Sequence, residues 1–388
     1  RYDNVVHLAA AEPRASVSAS ALLEFVQKGG NVLAAASSAS GVPAAAAVPT
    51  ALREFAAEVG VDFAPSGTQV RDDSEDAALA SDPRHTRVFV RGVPAERAVF
   101  GDDSGDDVGE APAEGSKMVA FAGTALEPSK NVLSLPLLRG FGSTYAVGGA
   151  EGAVDRVGEA LTLVAGVQGR NNNARVVLSG SVWLLSDEAF SVAGSWNREF
   201  ARHVSRWAFQ ERGVLRLRNV SHSRSDGSPP ELMMARKQRP DLPRSMFPEP
   251  EIDPSSQVYR IKDELRWSAV IERFNGREWV PYSQADPQLE FAMLDAYERR
   301  NVEHVGNGRY VVDFTAPDAY GVFKFRLLFR RPGLTVLHDE RSVVVRPFRH
   351  NEYPRFLQQA APYYTTILAL AFYVWLFAFL FIYTAPAR

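Results

Sequence analysis

The residues best suited to catalysis in this 388-residue chain do not occur at the spacings of known catalytic motifs. Gly140 and Gly142 begin a dinucleotide-binding pattern, but its third glycine position holds Tyr145, which would block the approach of a pyrophosphate. Ser143 and Ser181 lie beside glycines, yet no GxSxG nucleophile elbow and no GxxxxGK[ST] phosphate loop occurs. The chain has no cysteine, which excludes thiol nucleophiles and thiolate metal ligands. We therefore predict no catalytic residue in this chain.

The histidines and the acidic residues also lack the spacing of a metal site. The seven histidines are scattered, and no two lie three or four residues apart, as they would on a metal-binding helix. The acidic run from Asp102 to Asp107 could suggest calcium, but an EF-hand loop needs glycine at its sixth position and glutamate at its twelfth. This chain has Asp107 and Ala113 there. We expect no metal and no cofactor, and we interpret the run as an exposed loop.

One polar cluster is a candidate contact site: Arg170, Asn171, Asn172, Asn173 and Arg175. The cluster directly precedes a short apolar run that is typical of a buried strand. Asparagine tolerates left-handed backbone geometry, so the favoured interpretation is a turn that leads into a core strand. Binding of a partner or ligand is the alternative.

A second polar feature is Asn219-Val220-Ser221, the only Asn-x-Ser/Thr acceptor for an N-linked glycan in the chain. The alternation of LRLRNV places Asn219 in a predicted strand, which leaves its occupancy open. The acceptor would matter only if this part of the protein lies in a secretory lumen.

The longest apolar run is at the C-terminus, from Pro362 to Tyr383, and no charge occurs between Arg355 and Arg388. A helix needs about 20 mostly apolar residues to cross a bilayer, and tyrosines at both ends suit the two interfaces. We predict a single transmembrane helix. A buried helix in a soluble core is the alternative, but such helices seldom run this far without charge.

Small residues in this run mark its candidate packing surface, because closely packed helices need small side chains at their contact. These residues are Thr365, Thr366, Ala369 and Ala371. The arginines near the span give a weak orientation signal: three precede it and one follows it, which by itself favours a cytoplasmic bulk.

The first part of the chain alternates predicted strands and helices, which indicates an α/β domain with a mostly parallel sheet. Its strands are predicted at 4–8, 31–36, 61–63, 87–90, 160–167 and 175–178. One helix is capped by Ser18 or Ser20 and a second by Thr50. A third begins near Ser195 or Asn197, carries Phe200, Val204, Trp207 and Ala208 on one stripe and ends at Gly213. Because 4–8 reads as a strand already under way, we expect sequence before Arg1, such as a cleaved signal peptide.

From Val214 the pattern changes to short strands separated by turns, without helices, which indicates an antiparallel sandwich of immunoglobulin type. The strands are predicted at 257–274, 278–282, 289–294, 309–314, 322–330, 334–338 and 342–346, with a hairpin turn at Asn275-Gly276. The predicted organisation is an α/β domain at 1–213, a sandwich at 214–346 with a proline-rich insertion at 221–256, a juxtamembrane segment at 347–361, the span at 362–383 and a tail at 384–388. Basic and acidic residues nearly cancel, with a net charge of −3, so nucleic acid is not an expected partner.

Several blocks of this sequence, in this order, are similar to the 48 kDa-subunit family of the eukaryotic oligosaccharyltransferase. The blocks are YDNVV, FVQKGGNVLAAASS, RNNNARVVLSGS, SRWAFQERGVLR, WVPY, QLEF, PDAYGVFKF and VRPFRHNEYPRFLQQAAPYY. They cover both predicted domains and the approach to the membrane. The chain departs from the family pattern in its acidic GDDSGDD loop and in the length of the segment 221–256.

The resemblance implies a flavodoxin-like α/β domain and a sandwich in the lumen of the endoplasmic reticulum, a type I span and a short cytosolic tail. It also implies an accessory, non-catalytic subunit of the complex that moves an oligosaccharide from dolichol pyrophosphate to asparagine in Asn-x-Ser/Thr. The implied partners are the catalytic subunit, ribophorin-type subunits, a DAD-type small subunit, membrane lipid and, indirectly, the translocon. A membrane-anchored glycan-processing hydrolase and a cell-surface adhesion or receptor module are the alternatives.

Overall fold

The structure is a computed structural model that describes most of the chain. The described residues are 2–9, 17–36, 48–74, 85–91, 97–100, 117–128, 134–148, 153–228, 231–232, 257–353, 355 and 358–384. Three predictions lie wholly or largely outside these residues: the acidic run at 102–107, the insertion at 221–256 and the tail at 384–388.

The first half of the chain combines a central sheet with short helices. Its strands are β1 (Asn4–Ala9), β2 (Asn31–Ala36), β3 (Val61–Phe63), β4 (Gln69–Arg71), β5 (Val88–Val90), β6 (Val119–Phe121), β7 (Leu126–Pro128), β8 (Ser134–Arg139), β9 (Tyr145–Gly148), β10 (Ala153–Val157), β11 (Thr162–Gln168) and β12 (Arg175–Ser179). Its helices are α1 (Ala19–Gln27), α2 (Thr50–Val59), α3 (Arg97–Phe100), α4 (Asp187–Phe190) and α5 (Asn197–Ala208).

The central sheet is mixed, so the prediction of a mostly parallel sheet is wrong. Its strand order is β1-β2-β12-β11-β7-β3, with β8 also paired to β11. Only the β1–β2 and β2–β12 pairs are parallel, and the pairs around β11 and β7 are antiparallel. The short turn 169–174 causes part of this result, because a parallel connection needs a crossover of about a dozen residues or more. The flavodoxin-like description stays a prediction.

The predicted helix starts are right for α1 and differ in detail for α2 and α5. Ser18 caps α1 by accepting a hydrogen bond from the N–H of Ala21, as predicted. Thr50 is the first residue of α2 rather than its cap, because the carbonyl of Pro49 already accepts the first helical hydrogen bonds. The third predicted helix ends at Ala208, five residues before Gly213, and its stripe of Phe200, Val204, Trp207 and Ala208 is buried as predicted.

Asn197 does not cap α5, because its side chain binds a neighbouring strand instead. Its Oδ1 accepts the N–H of Ala120 at 2.7 Å and its Nδ2 donates to the carbonyl of the same residue at 2.8 Å. The buried amide thus acts as one rung of a β-ladder beside β6. This contact fixes α5 against β6, which pairs with β5 in a separate two-stranded sheet.

The second half of the chain consists of strands followed by one long helix. Its strands are β13 (Val214–Arg224), β14 (Glu231–Leu232), β15 (Gln257–Arg260), β16 (Glu264–Phe274), β17 (Trp279–Pro281), β18 (Gln288–Ala292), β19 (Ala296–Asn301), β20 (Glu303–Gly306), β21 (Arg309–Thr315), β22 (Gly321–Phe329) and β23 (Leu337–Arg346). The helix is α6 (Ala361–Tyr383).

These strands form two sheets that share one hydrophobic core. One sheet has the order β13-β16-β21-β20, with β17 beside β16, and the other has the order β14-β15-β23-β22-β18-β19. Trp267 and Ile271 of the first sheet belong to the same buried cluster as Phe325 and Val343 of the second. The β15–β23 pair is parallel, so the predicted all-antiparallel arrangement is wrong at this pair. The immunoglobulin-type sandwich stays a prediction.

Several predicted strand boundaries in this half change for identifiable reasons. The predicted strand 257–274 is divided by a turn in which Lys262 has a φ of 62° and Asp263 accepts the N–H of Arg260. The two strands predicted at 334–338 and 342–346 form one strand, because its polar residues face outward and pair across the sheet, as Glu340 does with Lys324. The sequence analysis missed β19 and β20. The hairpin at Asn275-Gly276 is confirmed.

His222 and Tyr259 form a polar pair at the core of the second half. The Nδ1 of His222 lies 2.6 Å from the hydroxyl oxygen of Tyr259, and its ring stacks on Phe325 at 4.8 Å between centroids. Burial lowers the pKa of His222 to about 4, with a smaller contribution from Arg341. Burial likewise raises the pKa of Tyr259. Both side chains are therefore neutral at neutral pH.

Candidate functional site

The predicted contact cluster contains a buried arginine, Arg175, which is held by backbone carbonyls. Its guanidinium donates to the carbonyl oxygens of Trp207 at 2.8 Å and Gly213 at 2.7 Å, and also to that of Arg212. These carbonyls lie at or just beyond the C-terminus of α5, where the helix dipole favours a cation. The guanidinium also lies 4.9 Å from the centroid of the Trp207 ring, a cation–π contact.

Burial lowers the pKa of Arg175 to about 9, which leaves the guanidinium protonated at neutral pH. No carboxylate pairs with it within the part of the chain described here. The charge is therefore compensated by carbonyl dipoles and an aromatic face, not by an opposite charge. Such a group is costly to bury unless its hydrogen bonds are well formed.

Asn172 closes the turn before β12 and caps a neighbouring helix. Its Nδ2 donates to the carbonyl oxygens of Val26 at 2.7 Å and Gln27 at 3.1 Å, at the C-terminus of α1. Its Oδ1 accepts the N–H of Ala174 at 3.1 Å. The carbonyls in the last turn of a helix lack i+4 partners, so this side chain adds a donor for two of them.

Asn173 connects the first half of the chain to the second. It has a φ of 55°, the left-handed conformation expected of asparagine in this turn. Its Oδ1 accepts the N–H of Val336 at 2.8 Å and an N–H of Gln168 at 3.1 Å. Gln168 donates in addition to the carbonyl of Leu334 at 2.9 Å.

The same segment of the second half, residues 333–336, binds three further groups. The indole N–H of Trp207 donates to the carbonyl of Gly333 at 2.8 Å. The N–H of Thr335 donates to the carbonyl of Gly213 at 3.0 Å, and its hydroxyl accepts the N–H of Leu215 at 2.7 Å. We call the contacts of Gln168, Asn173, Trp207 and Gly213 with residues 333–336 the polar joint, and we include Arg175 because it donates to the same Gly213 carbonyl as Thr335.

Two glycines make the polar joint possible. Gly213 has a φ of 66°, and a β-carbon there would lie 2.5 Å from the carbonyl oxygen of Gly333. Gly333 has a φ of 76°, and a β-carbon there would lie 2.7 Å from the side chain of Ala98. Sequence analysis missed Gly333 and Gln168, and also Gln210, whose side chain donates to the carbonyl of Asn173 at 3.1 Å. The Pro332-Gly333 dipeptide is a turn signal that pointed to Gly333.

The structure therefore divides the predicted cluster into two parts. Asn172, Asn173 and Arg175 lie together, with their polar groups used by the protein itself, whereas Arg170 and Asn171 lie exposed on the outside of the turn. The favoured interpretation, a turn leading into a core strand, is right. That interpretation did not predict that the turn also binds the second half of the chain, because the sequence does not show which distant segment contacts the turn.

The two serines beside glycines are held by fixed acceptors. Ser143 donates to Asp72 at 2.7 Å, and the Ser181 hydroxyl donates to the carbonyl of Ala122. Burial raises the pKa of Asp72, but hydrogen bonds from Ser143, Ser74 and Thr144 outweigh it and leave the pKa below its usual value. This carboxylate therefore stays ionised and holds together the loops around a cavity of about 160 Å³.

The described residues contain no group of three or more histidine, aspartate or glutamate side chains that could hold a metal ion.

The candidate glycan acceptor, Asn219, lies at an irregularity of β13. Pairing of β13 with β16 is interrupted between Arg218 and Ser221, and Asn219 is exposed with a φ of 49°. Its backbone is therefore outside the regular ladder. The Ser221 hydroxyl lies 3.0 Å from that of Ser268 on the neighbouring strand.

Comparison with known families gives two matches that together cover most of the chain. The model described as "OST48, N-terminal domain" matches residues 1–211, and the model described as "OST48 middle domain" matches residues 247–385. The chain belongs to the OST48 family.

Curated relatives agree with this membership. The chain is 32% identical to a Drosophila melanogaster protein over 98% of its own length and 80% of the relative. It is 33% identical to a Caenorhabditis elegans protein, over 95% and 77%, and 30% identical to an Arabidopsis thaliana protein, over 98% and 82%. Each relative is named the dolichyl-diphosphooligosaccharide–protein glycosyltransferase 48 kDa subunit. The resemblance found in the sequence is confirmed.

The polar joint lies between the two regions that match the OST48 models. Arg175 and Trp207 fall in the N-terminal match, and residues 333–336 fall in the middle-domain match. Their contacts are hydrogen bonds to backbone atoms, which specify position more than side-chain identity. The joint thus fixes how these two parts of an OST48-family chain sit on each other.

A second device, which the sequence analysis missed, connects the end of β23 to the approach of α6. Both terminal guanidinium nitrogens of Arg346 donate to the Glu352 carboxylate at 2.7 Å, and the backbone N–H of Arg349 donates to it at 2.8 Å. These hydrogen bonds, led by that from Arg346, lower the pKa of Glu352 to about 2. Phe348 lies under Arg260 at 5.1 Å and contacts Tyr353 edge-on at 5.5 Å. We call this set of contacts the juxtamembrane latch.

The predicted span is present as α6, one residue longer at its start than predicted, and none of its apolar stretch is buried. The hydroxyls of Thr365 and Thr366 donate to carbonyls of the preceding turn, so they present methyl groups without an unpaired donor. At about 100° per residue, Thr365, Thr366 and Ala369 fall within one third of the helix surface, and Ala371 lies outside it. The aromatic rings of Phe372, Trp375, Phe379 and Tyr383 form a continuous ladder toward the C-terminus.

Proposed function

We propose that this chain is a non-catalytic accessory and scaffolding subunit of the oligosaccharyltransferase complex. That complex moves a preassembled oligosaccharide from dolichol pyrophosphate to asparagine in Asn-x-Ser/Thr of nascent chains. The observation that carries the proposal is the match of both folded parts to OST48 models, together with relatives named as a subunit of the glycosyltransferase. The scaffolding role extends this family membership.

The polar joint supports the scaffolding part of the proposal. In the cluster best suited by composition to bind a ligand, Asn173 binds the second half of the chain directly, and Arg175 holds the Gly213 carbonyl to which Thr335 also donates. Because the buried arginine and the asparagine form hydrogen bonds within the chain, they make the arrangement of the two domains rigid. Rigid domains are what a subunit needs to hold neighbouring subunits at set positions.

The proposal includes a location and a set of partners. The chain lies in the endoplasmic reticulum membrane, with its two folded halves in the lumen and residues 384–388 in the cytosol. Its partners are the catalytic subunit, ribophorin-type subunits and a DAD-type small subunit, with the translocon as an indirect neighbour. The candidate packing residues of α6, above all Thr365, Thr366 and Ala369, face helices of these partners.

Purification of the tagged chain in mild detergent tests this function. We expect mass spectrometry to identify oligosaccharyltransferase subunits, and to lose them when α6 is replaced by a polyleucine helix. The polyleucine version stays anchored but lacks the small residues, so it separates helix packing from membrane attachment. Co-purification that survives complete removal of the span would contradict the role of α6, and a wild-type preparation without these subunits would contradict the function.

The two alternative functions predict different outcomes. A membrane-anchored hydrolase would cleave or transfer a glycan as the purified chain alone, with no other subunit present. An adhesion or receptor module would lie at the cell surface, where antibody labelling of intact cells would detect it. A chain that is protease-protected in microsomes and inactive on its own fits the proposed subunit and neither alternative.

We predict that Asn219 carries an N-linked glycan, because it is exposed and its backbone lies outside the ladder of β13. Endoglycosidase treatment should increase the gel mobility of the wild-type chain. Asn219→Gln and Ser221→Ala should each remove this shift, whereas Asn275→Gln, in a hairpin turn without the acceptor motif, should keep it. An unshifted wild-type chain would contradict the prediction.

A further inference from the structure

The end of the second half from which the chain leaves toward α6 carries exposed apolar side chains. Leu294 is 90% exposed, Tyr320 is 71% exposed and Val322 is 56% exposed. Single exposed apolar residues are ordinary on soluble proteins, but a group of large ones marks a contact surface. We call these three residues the apolar rim.

Strand register places the apolar rim beside the exit of β23. Gly321 at the start of β22 pairs with Val345 at the end of β23, and Ala292 at the end of β18 pairs with Lys324. The tip of the β18–β19 hairpin, which carries Leu294, therefore lies level with the start of β22. Close packing confirms this, since a β-carbon on Gly321 would lie 2.7 Å from the sulfur of Met293.

The juxtamembrane latch keeps this end close to the start of α6. Glu352 is bound to Arg346, and Tyr353 packs on Phe348, so the chain is held at the domain as far as Tyr353. Helical structure begins again at Gln358. Five residues of extended chain span at most about 17 Å, so the end that carries the apolar rim cannot move far from the span.

We propose that the apolar rim rests on the bilayer, with Leu294 and Tyr320 in the interfacial region. Tyrosine and leucine suit this region, and a headgroup layer about 5–7 Å thick lies outside each face of the hydrocarbon core. Exposed Arg349 and Arg355 follow at the same end of the domain and suit the phosphates of the headgroups. The proposal rests on α6 crossing the membrane, and it is independent of the enzyme complex to which the chain belongs.

The absence of cysteine from this chain allows a direct test. The full-length chain is reconstituted into phosphatidylcholine nanodiscs with a single cysteine labelled with the dye NBD. Leu294→Cys tests the rim, Leu328→Cys at the other end of β22 is the matched control, and Ala378→Cys reports on the span. With lipids spin-labelled near the headgroup, we expect at least threefold stronger quenching at position 294 than at position 328.

The outcomes separate this proposal from the proposed function. Quenching at position 378 but equal, weak quenching at 294 and 328 would overturn the membrane contact while leaving the span in place. Shielding of position 294 from aqueous iodide only in the assembled complex, without lipid quenching, would assign the rim to a protein partner and also overturn it. If position 378 is not quenched by lipids labelled deep in the acyl chain, the span fails, and the rim proposal fails with it.

Discussion

Replacing Arg175 with methionine is expected to lower the free energy of unfolding by about 3 kcal/mol. Methionine fills much of the same volume but removes the guanidinium donors from the carbonyl oxygens of Trp207, Arg212 and Gly213. The cation–π contact with the Trp207 ring is lost as well. Relief from burying a charge offsets part of this cost. Urea unfolding of the detergent-solubilised chain, followed by tryptophan fluorescence, measures the change.

Two further variants make this prediction specific. Arg175→Lys keeps the charge but cannot reach the carbonyls as a planar fork, so we expect about half of the loss. Arg170→Met, five residues earlier on the exposed side of the same turn, should change stability by less than about 0.5 kcal/mol. If Arg175→Met is as stable as the wild-type chain, the polar joint does not depend on the arginine.

Acidification is expected to destabilise the second half of the chain through His222. The pKa of His222 is about 4 in the folded chain, whereas the ordinary pKa of histidine, which we take for the unfolded chain, is 6.5. Between these values the unfolded chain binds a proton that the folded chain does not, so stability falls as the pH falls from 6.5 toward 4. Allowing for the partial exposure of the ring, we expect a loss of about 2 kcal/mol over this range.

His222→Gln isolates this effect, because glutamine can still hydrogen-bond to Tyr259 but does not titrate. We expect this variant to be less stable at pH 7 and to lose less stability than the wild-type chain between pH 6.5 and 4. His338→Gln, at an exposed site on β23, is the control for the substitution itself. Carboxylates contribute to the pH dependence of stability in both proteins, so the comparison uses the difference between the slopes of the free energy of unfolding against pH. Equal slopes for wild type and His222→Gln would contradict the prediction.

Local chemistry explains what the sequence predicted well. The Ser18 cap, the apolar stripe of α5 and the Asn275-Gly276 turn are all set by residues within a few positions of one another. The span needs only length and composition. Such features follow from propensity and periodicity because no distant segment has to be identified.

Distant pairing explains what the sequence did not predict. The hydrophobic run of β12 suits a parallel or an antiparallel neighbour equally well, and only its position between β2 and β11 decides. Asparagine is a common helix cap, but the side-chain amide of Asn197 is bonded to the backbone of Ala120 and is not used for capping. The juxtamembrane latch pairs Arg346 with Glu352 across a turn that has no helical or strand period.

The same limit applies to the candidate site. Asparagines in the turn 170–175 predict left-handed geometry, and Asn173 has it. Its partner, the N–H of Val336, is a backbone group that any residue would supply, so no side-chain signal marks it. Burial of Arg175 is equally hidden, because arginine is usually exposed and its acceptors here are carbonyls.

The polar joint also sets an order of events during synthesis. The ribosome synthesises Arg175 and its carbonyl acceptors close together in time. The carbonyl of Gly333, which accepts the Trp207 indole N–H, comes 126 residues after Trp207. The N–H of Val336, which donates to Asn173, comes 163 residues after Asn173. At about 5–20 residues per second, the ribosome needs roughly 6–25 seconds to cover the shorter interval. During that time the indole N–H of Trp207 lacks the Gly333 carbonyl that accepts it in the folded chain. We expect the nascent first half to be the form of this protein that depends most on chaperones.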